Sequence, residues 1–232
     1  SGDDRRSMTV TLNPRQLTVD LGKASTLPEL LSLHQAHGSQ FNGFHVGAFW
    51  SRFKKLARGE LGGLSDRLVP VCEQTVQMLP KLGGRGVANI AHAFAKSGLV
   101  SGGSYQGVWA ALEEVARRRI VEFDEQALSN TAWAFAKANR AAPALFNIIS
   151  AEVVRRGLSN FNEQNLSNTA WAFAMAGRAA PDLFDIISAE VVRRGLNDFN
   201  EQALSNTAWA FAKADRVAPD LIDIISAEVV SR

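Results

Sequence analysis

Gln126, Asn130 and Lys137 recur one period on as Gln164 and Asn168, and two periods on as Gln202, Asn206 and Lys213. A carboxamide carries donors and an acceptor on one planar group, so it can pair with the edge of an unstacked base, while a lysine suits a phosphate. Arg85, Asn89 and Lys96 continue the pattern upstream, with His92 beside them and His45 and Lys55 in a looser copy; Asn165 joins it in the middle unit. At about 100° per residue, Gln126, Asn130 and Lys137 share one face of a helix, with Trp133 at its edge. Rows of amides flanked by cations, one per repeating unit, are a means by which helical repeats read single-stranded RNA. Two readings stay open for the asparagines: an outward row that meets a ligand, or a buried ladder that ties one helix to the next, as buried polar groups require partners. The tryptophans read first as packing residues and second as stacking platforms.

Other chemistry is poorly represented. His34 and His37 lie three apart without a carboxylate or thiolate cluster to complete a metal site. Cys72 sits among Val69, Val71 and Val76 and reads as a core thiol. Gly83-Gly84-Arg85-Gly86 lacks the Gly-Lys-Ser/Thr ending of a phosphate loop and reads as a linker. The expectation is therefore no enzyme, no metal, no cofactor and no small-molecule substrate.

The elements that carry these residues are set by repetition. Segments beginning at Phe123, Phe161 and Phe199 follow one another at a period of 38, and the last two agree at 27 of 32 aligned positions. Weaker copies precede them, with a three-residue insertion near Gly102-Gly103-Ser104. Each unit predicts two helices. Asp124, Asn162 and Asn200 are suited to cap the first, Pro143, Pro181 and Pro219 to open the second, and Arg155-Arg156-Gly157 to close it. Arg155-Arg156, Arg193-Arg194 and the Arg117-Arg119 run are expected to serve helix ends and ion pairs with Glu114, Glu152 and Glu190. One helical pair cannot bury its apolar sides, so successive pairs must stack, giving an all-α, right-handed α-solenoid of about five units.

The expected divisions are a tail over 1–24, a capping helix over 25–40, degenerate repeats over 41–84 and 85–122, and repeats over 123–160, 161–198 and 199–232. The last is expected to be cut short, with the natural chain continuing. Positions that vary between near-identical units, 127/165/203, 137/175/213 and 139/177/215, fit either a modular recognition code or drift at exposed sites.

The 232 residues are 46% hydrophobic, with 25 Lys and Arg against 23 Asp and Glu. That composition folds, and no apolar run approaches the length of a membrane span. Residues 1–122 carry 15 basic and 10 acidic side chains, and residues 123–232 carry 10 and 13. Bulk charge is thus too small to drive polyanion binding, and phosphate contact must come from local arrangement.

Leu-Ser-Asn-Thr-Ala-Trp-Ala-Phe-Ala-Lys-Ala at 128–138, its copies at 166–176 and 204–214, and the Pro-led second helix resemble octotricopeptide repeat proteins. The stretch from Leu27-Pro28-Glu29 to Gln40-Phe41-Asn42 is similar to the lead-in of related proteins that end in a RAP domain. The resemblance implies sequence-selective binding of single-stranded organellar RNA, in plastid or mitochondrion, serving its stability, processing or translation. A groove for a protein or peptide is the alternative. The family's proline-rich motif ending in Glu-Trp and the RAP segment are absent from these residues, so neither a nucleotide code nor catalysis carries over.

Overall fold

The computed structural model describes residues 12–57 and 63–231. Their regular structure is helical throughout, in twelve α-helices taken as six consecutive pairs. The pairs are α1 (Pro14–Lys23) with α2 (Leu27–His37), α3 (Gly43–Leu56) with α4 (Ser65–Met78), and α5 (Gly84–Lys96) with α6 (Gly103–Arg119). There follow α7 (Glu125–Lys137) with α8 (Pro143–Arg156), α9 (Glu163–Met175) with α10 (Pro181–Arg194), and α11 (Glu201–Lys213) with α12 (Pro219–Ser231). Odd-numbered helices pack on odd-numbered neighbours and even on even, so the pairs form two layers.

The first helix of each unit starts where sequence chemistry places it. The Asp124, Asn162 and Asn200 carboxyl or amide oxygens accept from the backbone N–H of residues 127, 165 and 203, each at 2.8 Å. This satisfies one of the donors that a helix start leaves unpaired. The first helices end in a shared motif. Arg140 N–H donates to Phe135 C=O at 2.9 Å and Asn139 N–H to Ala136 C=O at 3.0 Å, the paired bonds of a Schellman cap. That cap holds Asn139 at φ +50°, and its counterparts are Gly98 at +70°, Gly177 at +61° and Asp215 at +51°. Left-handed backbone favours glycine, with Asn and Asp the next most tolerant side chains. The variation at 139, 177 and 215 is therefore confined to residues that this turn accepts, and capping accounts for it without a recognition code. Prolines 143, 181 and 219 open the second helices, where no amide hydrogen is missed.

Close packing in the first layer comes from small residues on both flanks of each helix. Ala127 and Ala134 are buried on the side of the preceding unit, and Ser129 and Ala136 on the side of the next. Ser129 Oγ donates to the Asn165 carbonyl across this seam at 3.2 Å. Below them Leu128, Thr131, Ala132 and Phe135 face the second layer and are buried, as their spacing predicts. Phe146 meets Phe173 edge-on at 5.1 Å and Phe184 meets Phe211 at 5.2 Å, so each second helix wedges a ring under the following unit.

The second layer is joined differently. From α6 onward its helices touch one another more sparsely than the first helices do. Arginines bridge their C-terminal ends. Arg194 donates to the carbonyls of Phe161 and Leu158 at 2.5 and 2.7 Å, and Arg156 to those of Phe123 and Val121 at 2.6 and 2.9 Å. Arg119 reaches the Pro80 and Leu82 carbonyls at 3.0 and 2.8 Å. Glu190 holds Arg194 and its neighbour Arg193, Glu152 holds Arg156 and Arg155, and Glu122 pairs with Arg119. Hydrogen bonds from the arginines hold both carboxyls down at about 2, against the opposing effect of burial. Arg118 pairs with Glu114 at 2.6 Å. The expected service to helix ends and ion pairs holds for Arg118, Arg119, Arg155, Arg156, Arg193 and Arg194, and Arg117 makes no such bond among the described residues.

Three expectations need correction. The stretch assigned to a tail contains α1, whose Leu17 and Leu21 are fully buried against the rest of the stack. Residues 14–37 thus form a pair rather than a lone capping helix; residues 1–11, and Arg232 at the other end, lie outside the described residues. Gly83-Gly84-Arg85-Gly86 is not a linker, because Gly84 opens α5 and a Cβ there would meet the Phe123 Cα at 2.9 Å. Glycine at 84 is a close-approach residue. The three-residue insertion lengthens the second helix: α6 has 17 residues and α8 has 14.

Candidate nucleic-acid interface

A first helix with neighbours on both flanks and a layer beneath has one open strip. On α7 that strip is Gln126, Asn130, Trp133 and Lys137, which fall within about 60° of arc at 100° per residue. Gln126 and Lys137 are exposed, and Asn130 and Trp133 are half-buried. The same strip on α9 holds Gln164, Asn168, Trp171 and Met175, on α11 Gln202, Asn206, Trp209 and Lys213, and on α5 Arg85, Asn89, His92 and Lys96. On α3 it reads Phe44, Ala48, Ser51 and Lys55, with Phe44 86% exposed. Packing thus aligns side chains of one kind into tracks that cross the helices.

The side-chain amides of Asn89, Asn130, Asn168 and Asn206 make no hydrogen bond among the described residues, and neither do those of Gln126, Gln164 and Gln202. The alternative of a buried ladder tying the helices is therefore not what the chain builds; the helices are tied through alanine seams instead. Lys55, Lys96, Lys137 and Lys213 likewise lack a carboxylate partner among the described residues. Arg85 differs, since its Nε and Nη2 donate to the Asp124 Oδ2 at 3.1 and 2.7 Å and fasten α5 to the cap of α7.

Two sequence-predicted residues lie off the strip. Asn165 is 7% exposed, because its position, like Ala127 and Ala203, belongs to the seam with the preceding helix. His45 occupies that same seam position on α3. It is buried, its Nδ1 accepts from the Asn42 N–H, and its Nε2 lies 2.9 Å from the Pro14 carbonyl. Phe44 takes the place on the strip that His45 was expected to fill.

The tryptophans are the residues that sequence reasoning placed least well. Trp50 and Trp109 behave as core: both are buried, with indole N–H groups donating to Thr75 Oγ1 at 2.8 Å and the Leu99 carbonyl at 2.9 Å. The other three form a column with His92. Ring centroids are 4.9 Å apart for His92 and Trp133, and 6.2 Å for Trp133 and Trp171 and again for Trp171 and Trp209. Interplanar angles are 35°, 32° and 33°. Their indole N–H groups have no acceptor among the described residues. The exact recurrence of Trp at a 38-residue interval beside the amides was the available signal.

The electrostatics of the strip are one-sided. On α3, α5, α7, α9 and α11 the only carboxylates are Glu125, Glu163 and Glu201, all in the first turn. Near its upstream end Lys54 replaces the alanine of the later seams. Lys54 and Lys96 face His92 closely enough that, after burial, they are the next cause holding its imidazole down at about 4. The Lys54 ammonium is itself pushed down by burial and by Lys55 and Lys96. An unbalanced cluster of this kind is relieved by an anion.

His34 is a packing residue, with its ring against Phe41 and Phe49 and Nε2 at 2.9 Å from Gln74 Oε1. No group of three or more His, Cys, Asp or Glu able to hold a metal occurs among the described residues. Cys72 is buried, which pushes its thiol up to about 12. No described helix is long and apolar enough to cross a membrane. No protein-family model matches the chain, and no curated protein sequence does.

Proposed function

We propose that this chain is a right-handed α-solenoid whose open strip binds single-stranded RNA. The observation that carries the reading is the segregation of charge and hydrogen-bonding capacity: unpaired lysines and free carboxamides share the strip, and no carboxylate enters it beyond the first turn. The acidic excess of the last two units lies elsewhere, on Asp182, Asp185, Glu190, Asp220, Asp223 and Glu228 of the second layer and on the loops. A weak overall charge thus coexists with a local cationic track, which is the arrangement that polyanion contact requires. The likeness to octotricopeptide repeat proteins supports the same reading and extends it to organellar RNA, whose stability, processing or translation such binding would serve.

The test is ionic strength. If Lys55, Lys96, Lys137 and Lys213 each neutralise one phosphate, log K against log salt has a slope of about −2.8 for a single strand. Raising salt from 50 to 200 mM then weakens binding by about 50-fold. A slope near zero removes the reading. A second occupant is favoured by one number: the 6.2 Å spacing of the tryptophan rings is close to the about 6.6 Å spanned by two residues of an extended peptide. A neutral peptide held in this way would bind with little dependence on salt.

A further inference from the structure

We propose that the His92–Trp133–Trp171–Trp209 column is the surface on which bases lie, and that it fixes the strand across the helices. In this arrangement phosphates run along the lysine track, rings lie over the column, base edges meet the amide track, and one unstacked nucleotide occupies each unit. The inference rests on the RNA reading above and specifies how the same strip is used.

Spacing makes the case for an unstacked strand. A stacked strand advances about 3.4 Å per nucleotide, whereas the indole rungs are 6.2 Å apart, so one base per unit demands that the bases be pulled apart. Each separated base then needs an apolar surface of its own. A base inserted between two rings would need about two stacking distances, or 6.8 Å, more than the 6.2 Å available. Bases must therefore lie across the outward parts of the rings, which are half-buried at Trp133 and Trp171 and 41% exposed at Trp209.

The order of residues along each helix supplies the orientation. With a rise of about 1.5 Å per residue, Asn130 lies about 4.5 Å from Trp133 toward the helix start and Lys137 about 6 Å toward its end. On α5, α7 and α11 a nucleotide laid along that direction meets a cation, an aromatic surface and an amide in the order phosphate, base ring, base edge, while on α9 Met175 stands at the cation position. The free indole N–H groups of Trp133, Trp171 and Trp209 add donors that the core tryptophans Trp50 and Trp109 have already used. Charge complementarity selects a polyanion as the occupant, because the track beside the column carries Lys55, Lys96, Lys137 and Lys213.

The test compares a uridine decamer with a decamer of abasic ribose phosphate, using the full chain and its Trp171→Leu and Trp171→Phe variants, each checked for unchanged helicity. The uridine decamer is expected to bind more tightly than the abasic one. Trp171→Leu should weaken uridine binding by about 5- to 150-fold, the usual loss of one stacking side chain, while leaving the salt slope and abasic binding unchanged. Trp171→Phe should retain most of the preference. Equal affinity for the two oligomers in the parent chain, or equal loss of both in Trp171→Leu, overturns the column as a base platform while the RNA reading stands. Binding of neither oligomer overturns both readings.

Discussion

Gly177 closes α9 at φ +61°, and a Cβ placed on it would have nothing within 4 Å. Gly177→Ala therefore tests backbone conformation without a steric collision. Left-handed backbone costs a residue with a Cβ roughly 1–2 kcal/mol, and alanine recovers about 0.4–1 kcal/mol by restricting the unfolded chain. The net expectation is a loss of about 1 kcal/mol. In urea unfolding followed by far-UV circular dichroism, with m near 2.5 kcal/mol/M, the midpoint should fall by about 0.4 M at constant m. Asn139→Gly should leave the midpoint nearly unchanged, because the relief of a φ of +50° at a tolerant asparagine is offset by the freedom that glycine adds to the unfolded chain. Neither substitution should alter RNA affinity. An unchanged midpoint for Gly177→Ala would refute the capping account, and altered RNA preference with an unchanged midpoint would return positions 139, 177 and 215 to recognition.

Arg194→Ala leaves the Phe161 and Leu158 carbonyls without their charged donor and should destabilise the chain by about 2–3 kcal/mol, read as a lower urea midpoint, whereas the exposed Arg193→Ala should move that midpoint far less. The lowered carboxyls of Glu152 and Glu190 contribute stability that is fully present above the unfolded value of 4.5 and is lost as pH falls toward about 2. A Glu152→Gln/Glu190→Gln double variant should accordingly show a shallower fall in stability between pH 5 and about 2, measured by acid titration of helicity. His92, held down at about 4 by burial and then by Lys54 and Lys96, contributes stability above pH 6.5 that is lost as pH falls to 4. His92→Phe keeps an aromatic ring at the head of the column and should remove that part of the pH dependence, seen by comparing urea midpoints at pH 7 and pH 5.

The period, the Asp124, Asn162 and Asn200 caps, the leading prolines and the Leu128–Phe135 core face were all legible because each depends on residues close in sequence. What a helical wheel omits is the neighbour. Ala127 and Ala134 lie beside the open strip on the wheel, yet they are buried because a preceding helix covers them, and Asn165 is lost from the strip for the same reason. His45 shows the limit more sharply: one position along α3 separates a buried bond to Pro14 from an exposed Phe44. Helix α1 is hard to read from sequence because only two of its apolar residues, Leu17 and Leu21, are buried, and only packing on α3 reveals their use. The column of rings needs three-dimensional register, since a wheel gives the direction of Trp133 but not its distance from Trp171.

Arginines fasten the other ends of the second layer as well: Arg216 pairs with Asp185 at 2.6 Å, and Arg140 donates to the Val100 carbonyl at 3.4 Å. Between such fastenings, Asn147, Ser150, Ala151, Val154 and Arg155 of α8 and Pro181 and Asp182 of α10 border an open cleft of about 540 Å³. Adjacent second helices are thereby buttoned at their ends over a sparsely filled middle. Register between them rests in large part on charge-assisted hydrogen bonds, where register between the first helices rests on close contact of small side chains.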